Sequence, residues 1–143
     1  MKTYFDHEKL DVYQEAIAFC GWVGKFLAPI SAKAALKDQL DRASTSIPLN
    51  IEEGNGKFSA KDRARFLEMA RGSALECAAC LDVLVVRKLA HMEQVIVSKE
   101  RRARIVQMLI GLLRKFSARA DFLREEEPAY PVDHDYDHEQ EHE

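Results

Sequence analysis

Apolar residues recur at three- and four-residue spacing in four stretches of this chain, and nowhere alternate as a strand requires. The first stretch predicts a helix over 11–27. Val12, Ala16, Phe19, Val23 and Phe26 form one stripe, with Tyr13, Ile17, Cys20 and Leu27 beside it, a wide apolar face. Asp11 and Gln14 have capping-box spacing, and Pro29 closes the element. The second helix is expected over 32–53 with Ser31 as N-cap. Leu36, Leu40, Ala43, Ile47 and Ile51 share one of its faces. Pro48 falls inside this pattern. It has no N–H for the carbonyl of Ser44, and its ring crowds that turn. The apolar spacing continues through it, so a kink is expected instead of a break. Gly54 is expected to end the helix in the left-handed conformation.

The third helix is expected over 60–88, with Ser59 as N-cap and Asp62 at the third position. From Ala74 to Val86 its only charges are Glu76 and Asp82, and apolar residues otherwise occupy the whole circumference. Such a helix must be covered on all sides. Three partners in a small bundle leave an outer face bare, which predicts self-association. The fourth helix is expected over 99–123, with Ser98 as N-cap and a stripe of Ile105, Leu109, Leu112, Phe116, Ala120 and Leu123. Short connections make consecutive helices antiparallel neighbours. The fold class expected is all-α: an antiparallel up-down-up-down four-helix bundle over residues 1–124. An acidic tail over 125–143 follows, disordered by its composition.

Charge changes this picture. The formal net charge is −3, but nine of the 24 acids lie in residues 125–143, which hold no Lys or Arg, so the body carries an excess of about six positive charges. That asymmetry reads first as ordinary solvated surface on body and tail alike, and otherwise as the mark of an anionic partner, RNA or DNA, or of a tail folded back on the body. The candidate nucleic-acid-binding residues are Lys57, Lys61, Arg63 and Arg65 at the start of helix 3, and Lys99, Arg101, Arg102 and Arg104 at the start of helix 4. Positive charge at a helix N-terminus opposes the macrodipole. Phosphate binding is one reason for it, and exposed, screened ends are the other. Only Phe58 and Phe66 lie nearby to stack on bases. The expected contact is therefore backbone charge, salt-sensitive and weakly sequence-specific. In an up-down bundle the end of helix 4 emerges beside the start of helix 3, so the acidic tail is expected to mask that basic face.

Other chemistry recedes. No apolar run approaches the ~18 residues of a membrane span, the polar N-terminus does not read as a signal peptide, and three cysteines do not read as a disulfide framework. A cytoplasmic protein without membrane contact is expected. Glu139-x-x-His142 is the only such pair and lies in the tail, so the carboxylate set of a di-iron bundle is missing. Cys77-x-x-Cys80 lacks the second pair of a zinc site and reads as core packing. His134, His138 and His142 have no defined ligand geometry. Gly54-Asn55-Gly56-Lys57 is too short for a P-loop and follows a helix. No cofactor, metal, catalytic residue or small-molecule substrate is expected, and the alternative is a metal- or thiol-dependent helical-bundle enzyme.

The stretch from Gln39 to Lys57, Gln-Leu-Asp-Arg-Ala-Ser-Thr-Ser-Ile-Pro-Leu-Asn-Ile-Glu-Glu-Gly-Asn-Gly-Lys, resembles the hallmark of the 23S rRNA intervening-sequence protein family, Q-L-x-R-A-x-x-S-I-P-x-N-I-x-E-G-x-G-[RK]. Phe66-Leu67, then Ala70-Arg71-Gly72-Ser73-Ala74 and Glu76, resemble its F-L-x-x-A-x-G-S-x-x-E. Phe5, Leu10, Val12 and Tyr13 fit its opening. Cys77-Ala78-Ala79-Cys80 departs from the pattern, and the acidic tail is not part of it. The resemblance implies a four-helix bundle, commonly a homopentameric ring, with no catalytic residues. Some relatives are encoded inside 23S rRNA gene insertions and many are free-standing. A distant basic relative, the accessory protein of diversity-generating retroelements, binds nucleic acid and a reverse transcriptase. Independently of the resemblance, Ala43, Ser44, Ser46, Gly72, Ser73 and Ala74 are small and permit close approach of helices 2 and 3. Asn50, Glu52, Glu53, Arg71 and Glu76 form a candidate polar cluster beside them. It reads as fixing register, or as a polar site in the inter-helix groove.

Overall fold

The computed structural model describes residues 3–31 and 34–125, with side chains through residue 117. A 3-10 turn over Asp6–Lys9 leads into α1 (Asp11–Leu27), followed by α2 (Ala35–Asn55), α3 (Ala60–Val86), a short α4 (Met92–Ile96) and α5 (Lys99–Glu125). Four long helices form the bundle, and among the described residues there is no strand. Helix 4 of the sequence reading is α5. The turn at 6–9 and α4 were not anticipated, because neither is long enough to show a period.

The core is built from the expected stripes of α1 and α2, from α3, and from the α5 stripe as far as Phe116, the side chains of Ala120 and Leu123 lying outside the described residues. Phe19 and Val23 of α1, Leu40, Ile47 and Ile51 of α2, Leu81 and Leu84 of α3, and Ile105 and Leu109 of α5 are fully buried. Each contributes about 1.5–3 kcal/mol of apolar burial. Leu112 and Phe116 pack against this core half-buried. Ile17, placed by its spacing on the apolar face, is exposed instead, because it lies at the outer edge of the second stripe.

Three end signals are corrected. Asp11 does not cap α1: Leu10 holds the N-cap position without a side-chain bond, and Gln14 Nε2 donates to the carbonyl of Glu8 at 2.9 Å. The 3-10 turn feeds the helix directly and takes the place of a capping box. α2 begins at Ala35, with Ala34 in the cap position that Ser31 was expected to hold; positions 32 and 33 lie outside the described residues. Gly54 is not left-handed, and no described glycine has a positive φ. It is a buried helical residue: a Cβ there would lie 3.1 Å from Phe66 Cβ and 3.3 Å from the carbonyl oxygen of Arg63. It lets α3 approach the end of α2. The left-handed residue is Lys88, φ 61°, just beyond α3. Lys88 N–H donates to Val85 O at 3.0 Å and Leu89 N–H to Leu84 O at 2.9 Å, a Schellman end.

The cap on α3 is as expected, with Ser59 Oγ accepting from the N–H of Asp62 at 3.1 Å. α2 runs through Pro48 without interruption. The Ser44 carbonyl that Pro48 cannot serve accepts instead from Cys20 Sγ of α1, at 3.1 Å.

Candidate nucleic-acid interface and inter-helix groove

Antiparallel packing of α2 on α3 brings the small residues of the two motifs together. Ser46 and Ser73 hydroxyls bond across the interface at 2.8 Å. Asn50 Nδ2 donates to the carbonyl and the hydroxyl oxygen of Ser46, at 2.8 and 2.9 Å. Gln39 Nε2 donates to Glu76 Oε1 at 3.3 Å. These groups flank a shallow groove of about 310 Å³ lined by Gln39, Arg42, Ala43, Ser46, Ser73 and Glu76. The polar cluster read from the sequence is therefore divided. Glu76 lines the groove and Asn50 braces its Ser46 wall. Arg71 turns aside to Glu68 at 2.7 Å, Glu53 pairs with Lys57 at 3.6 Å, and Glu52 is exposed. Gln39, Arg42, Ser46 and Ser73 were not in that cluster. Their signal was present in the spacing, since 39, 42, 46 and 73, 76 each trace one helical face.

The two basic groups have different fates. At the start of α5, Arg101 and Arg104 converge on Glu15 of α1, at 3.6 and 3.9 Å. Arg102 is half-buried and its Nη2 donates to Val95 O at 3.4 Å, while its Nε is buried without a partner. Burial pulls its pKa below the ordinary value, with Asp82 and Cys77 opposing. Lys99 stays exposed. Three arginines of this group are thus engaged with the bundle, which gives them a structural use.

At the α2–α3 turn the cations lie on aromatic rings. Lys57 Nζ and the Arg65 guanidinium sit over the Phe66 ring, 5.1 and 5.0 Å from its centroid. The Arg63 guanidinium and Lys115 Nζ sit over Phe116 of α5, at 5.4 and 5.8 Å. Arg63 Nε also donates to Lys57 O at 2.6 Å. Lys61 is exposed, as is Phe58 beside it. The Arg63–Phe116 contact places the late part of α5 beside the start of α3. The tail expected to mask this end lies outside the described residues, apart from Glu125.

The three cysteines are free. Burial raises the Cys20 and Cys80 thiols, with Asp41 and Glu76 respectively adding to it. Burial, then Cys80, Glu76 and Cys20, pushes Cys77 up to about 12 against the pull of Arg102. Thiols held protonated are poor nucleophiles and ligands. Among the described residues no group of three or more His, Cys, Asp or Glu side chains could hold a metal ion. Nor is any described helix long and apolar enough to cross a membrane.

A family model described as 23S rRNA-intervening sequence protein matches residues 8–111. Among solved structures, the chain is similar to a protein of unknown function from the S23 ribosomal protein family of Bacteroides thetaiotaomicron VPI-5482. Identity is 25% and the TM-score 0.66, covering 71% of this chain and 97% of the other. No curated protein matches the chain.

Proposed function

Because this chain belongs to the 23S rRNA-intervening sequence protein family, we propose that it is a non-enzymatic cytoplasmic scaffold. In this reading it self-assembles, as a pentamer, and holds nucleic acid by charge at the α2–α3 end. The observation that carries the binding reading is the set of cations fixed on the Phe66 and Phe116 rings, with Lys61 exposed beside them. RNA is put ahead of DNA because the family is that of 23S rRNA-intervening sequence proteins and the similar structure belongs to the S23 ribosomal protein family. Assembly is supported by the outer face of α3. Met69, Leu75, Val83 and Val86 are exposed there, and Met92, Ile96 and Val97 are exposed just beyond. Leaving such a set in water favours association.

Two measurements test this. Light scattering after gel filtration should give about five times the chain mass of 16.3 kDa; a 16.3 kDa species refutes assembly. RNA titrated at about 50 and 150 mM salt should bind more weakly at the higher salt. Truncation after Arg124 should tighten binding most at low salt, because an attached polyanion competes for the same cations. If neither form binds at low salt, the binding reading fails. If truncation changes nothing, the tail does not mask this end.

A further inference from the structure

We propose that Phe58 is a stacking platform for an unpaired base, so that the strand taken up at the α2–α3 end is single and not duplex. The inference rests on the nucleic-acid reading above and specifies its ligand. Phe19 and Phe26 are buried, while Phe66 and Phe116 lie half-buried beneath cations. Phe58 differs from all of these, because its side chain is fully exposed. It projects from the short connection between Asn55 and Ala60, where the chain has just left α2 and has not yet entered α3. An exposed aromatic ring loses contact energy with every neighbour it lacks, and a flat π-faced ligand would restore it.

The surroundings select that ligand. Lys57 precedes the ring in the chain, and Lys61 and Arg65 follow one helical turn apart on α3, all with their charge near the surface. Opposing them are Glu53, already paired with Lys57, and the exposed carboxylates of Glu52 and Asp62; Arg63 and Lys115 at the neighbouring Phe116 ring restore the positive excess. A second copy docking by this same end would bring like charges together. A nucleic-acid strand offers phosphates to the cations and a base face to the ring. Base faces in a duplex are already covered by their neighbours, so only an unpaired base can stack on Phe58.

The test uses the full chain with a labelled oligouridylate of about twelve nucleotides and an RNA duplex of equal length, in fluorescence anisotropy at low salt. Phe58→Ala should weaken oligouridylate binding about five- to a hundredfold, leave duplex binding unchanged, and keep the helical circular dichroism signal. Phe58→Trp should bind at least as well as the unchanged chain. Lys61→Glu with Arg65→Glu should weaken both ligands, since phosphates are common to both. If Phe58→Ala leaves oligouridylate affinity intact while the charge reversals lower it, the stacking proposal is overturned and the charge reading stands. If neither ligand binds at low salt to the full chain or to the chain truncated after Arg124, both fall. If poly-glutamate binds with the same dependence on Phe58, the site takes an acidic peptide and the proposal is likewise overturned.

Discussion

Replacing Cys20 by alanine should cost more stability when Pro48 is present than when it is absent. Pro48 removes the N–H that would have served the carbonyl of Ser44, Ser44 is buried, and the Cys20 thiol donates to that oxygen at 3.1 Å. Cys20→Ala removes the sulfur from a half-buried position, worth about 1 kcal/mol of apolar contact. It also strands a buried carbonyl, which costs about 1 kcal/mol more at the low end expected for a weak donor. The expected loss is about 2 kcal/mol by these two terms. In a Pro48→Ala background the alanine N–H reaches Ser44 O within the helix, so Cys20→Ala should cost only the first term, about 1 kcal/mol. The double-mutant cycle should thus give a coupling of about 1 kcal/mol. Urea unfolding followed by circular dichroism measures it, under reducing conditions and at fixed protein concentration because association shifts apparent stability. A coupling within about 0.3 kcal/mol of zero refutes the reasoning. Cys20→Ser, which keeps a donor, should lose less than Cys20→Ala if the bond is what matters.

Gly54→Ala should destabilise by about 1–3 kcal/mol, although alanine normally favours a helix, because its Cβ would meet Phe66 Cβ at 3.1 Å and backbone at 3.3 Å; an increase in the urea midpoint contradicts this. Lys88→Gly should stabilise by about 0.5–1 kcal/mol, since Lys88 holds φ 61° at the end of α3, and the thermal midpoint should rise by a few degrees. Cys77 is held up at about 12 by burial, so the folded state retains a proton that the unfolded thiol loses at lower pH. The stability it contributes is fully present below the ordinary thiol value and is lost as pH rises towards the folded one. Unfolding free energy should therefore fall between pH 8 and 11 less steeply in Cys77→Ala than in the unchanged chain; equal slopes contradict the assignment.

The sequence by itself determined the four long helices, their order and most of the core, because each amphipathic stripe must bury its apolar side and short connections leave antiparallel neighbours as the available arrangement. Ser59 could be read as a cap because an N-cap bond spans only three residues. The contacts between helices were decided by tertiary structure. Gly54 reads locally as a helix stop, yet it is a point of close approach to Phe66, since the neighbour that makes its missing Cβ matter is a dozen residues away. Cys20 reads as one more apolar position, yet it serves the carbonyl that Pro48 vacates on another helix. The eight basic residues look alike in the chain. Only packing separates Arg101 and Arg104, drawn to Glu15, and Arg102, folded inward, from the cations that rest on Phe66 and Phe116. A charge's availability depends on which opposite charge or ring the fold brings within a few ångströms, and linear spacing carries that information only within one helix.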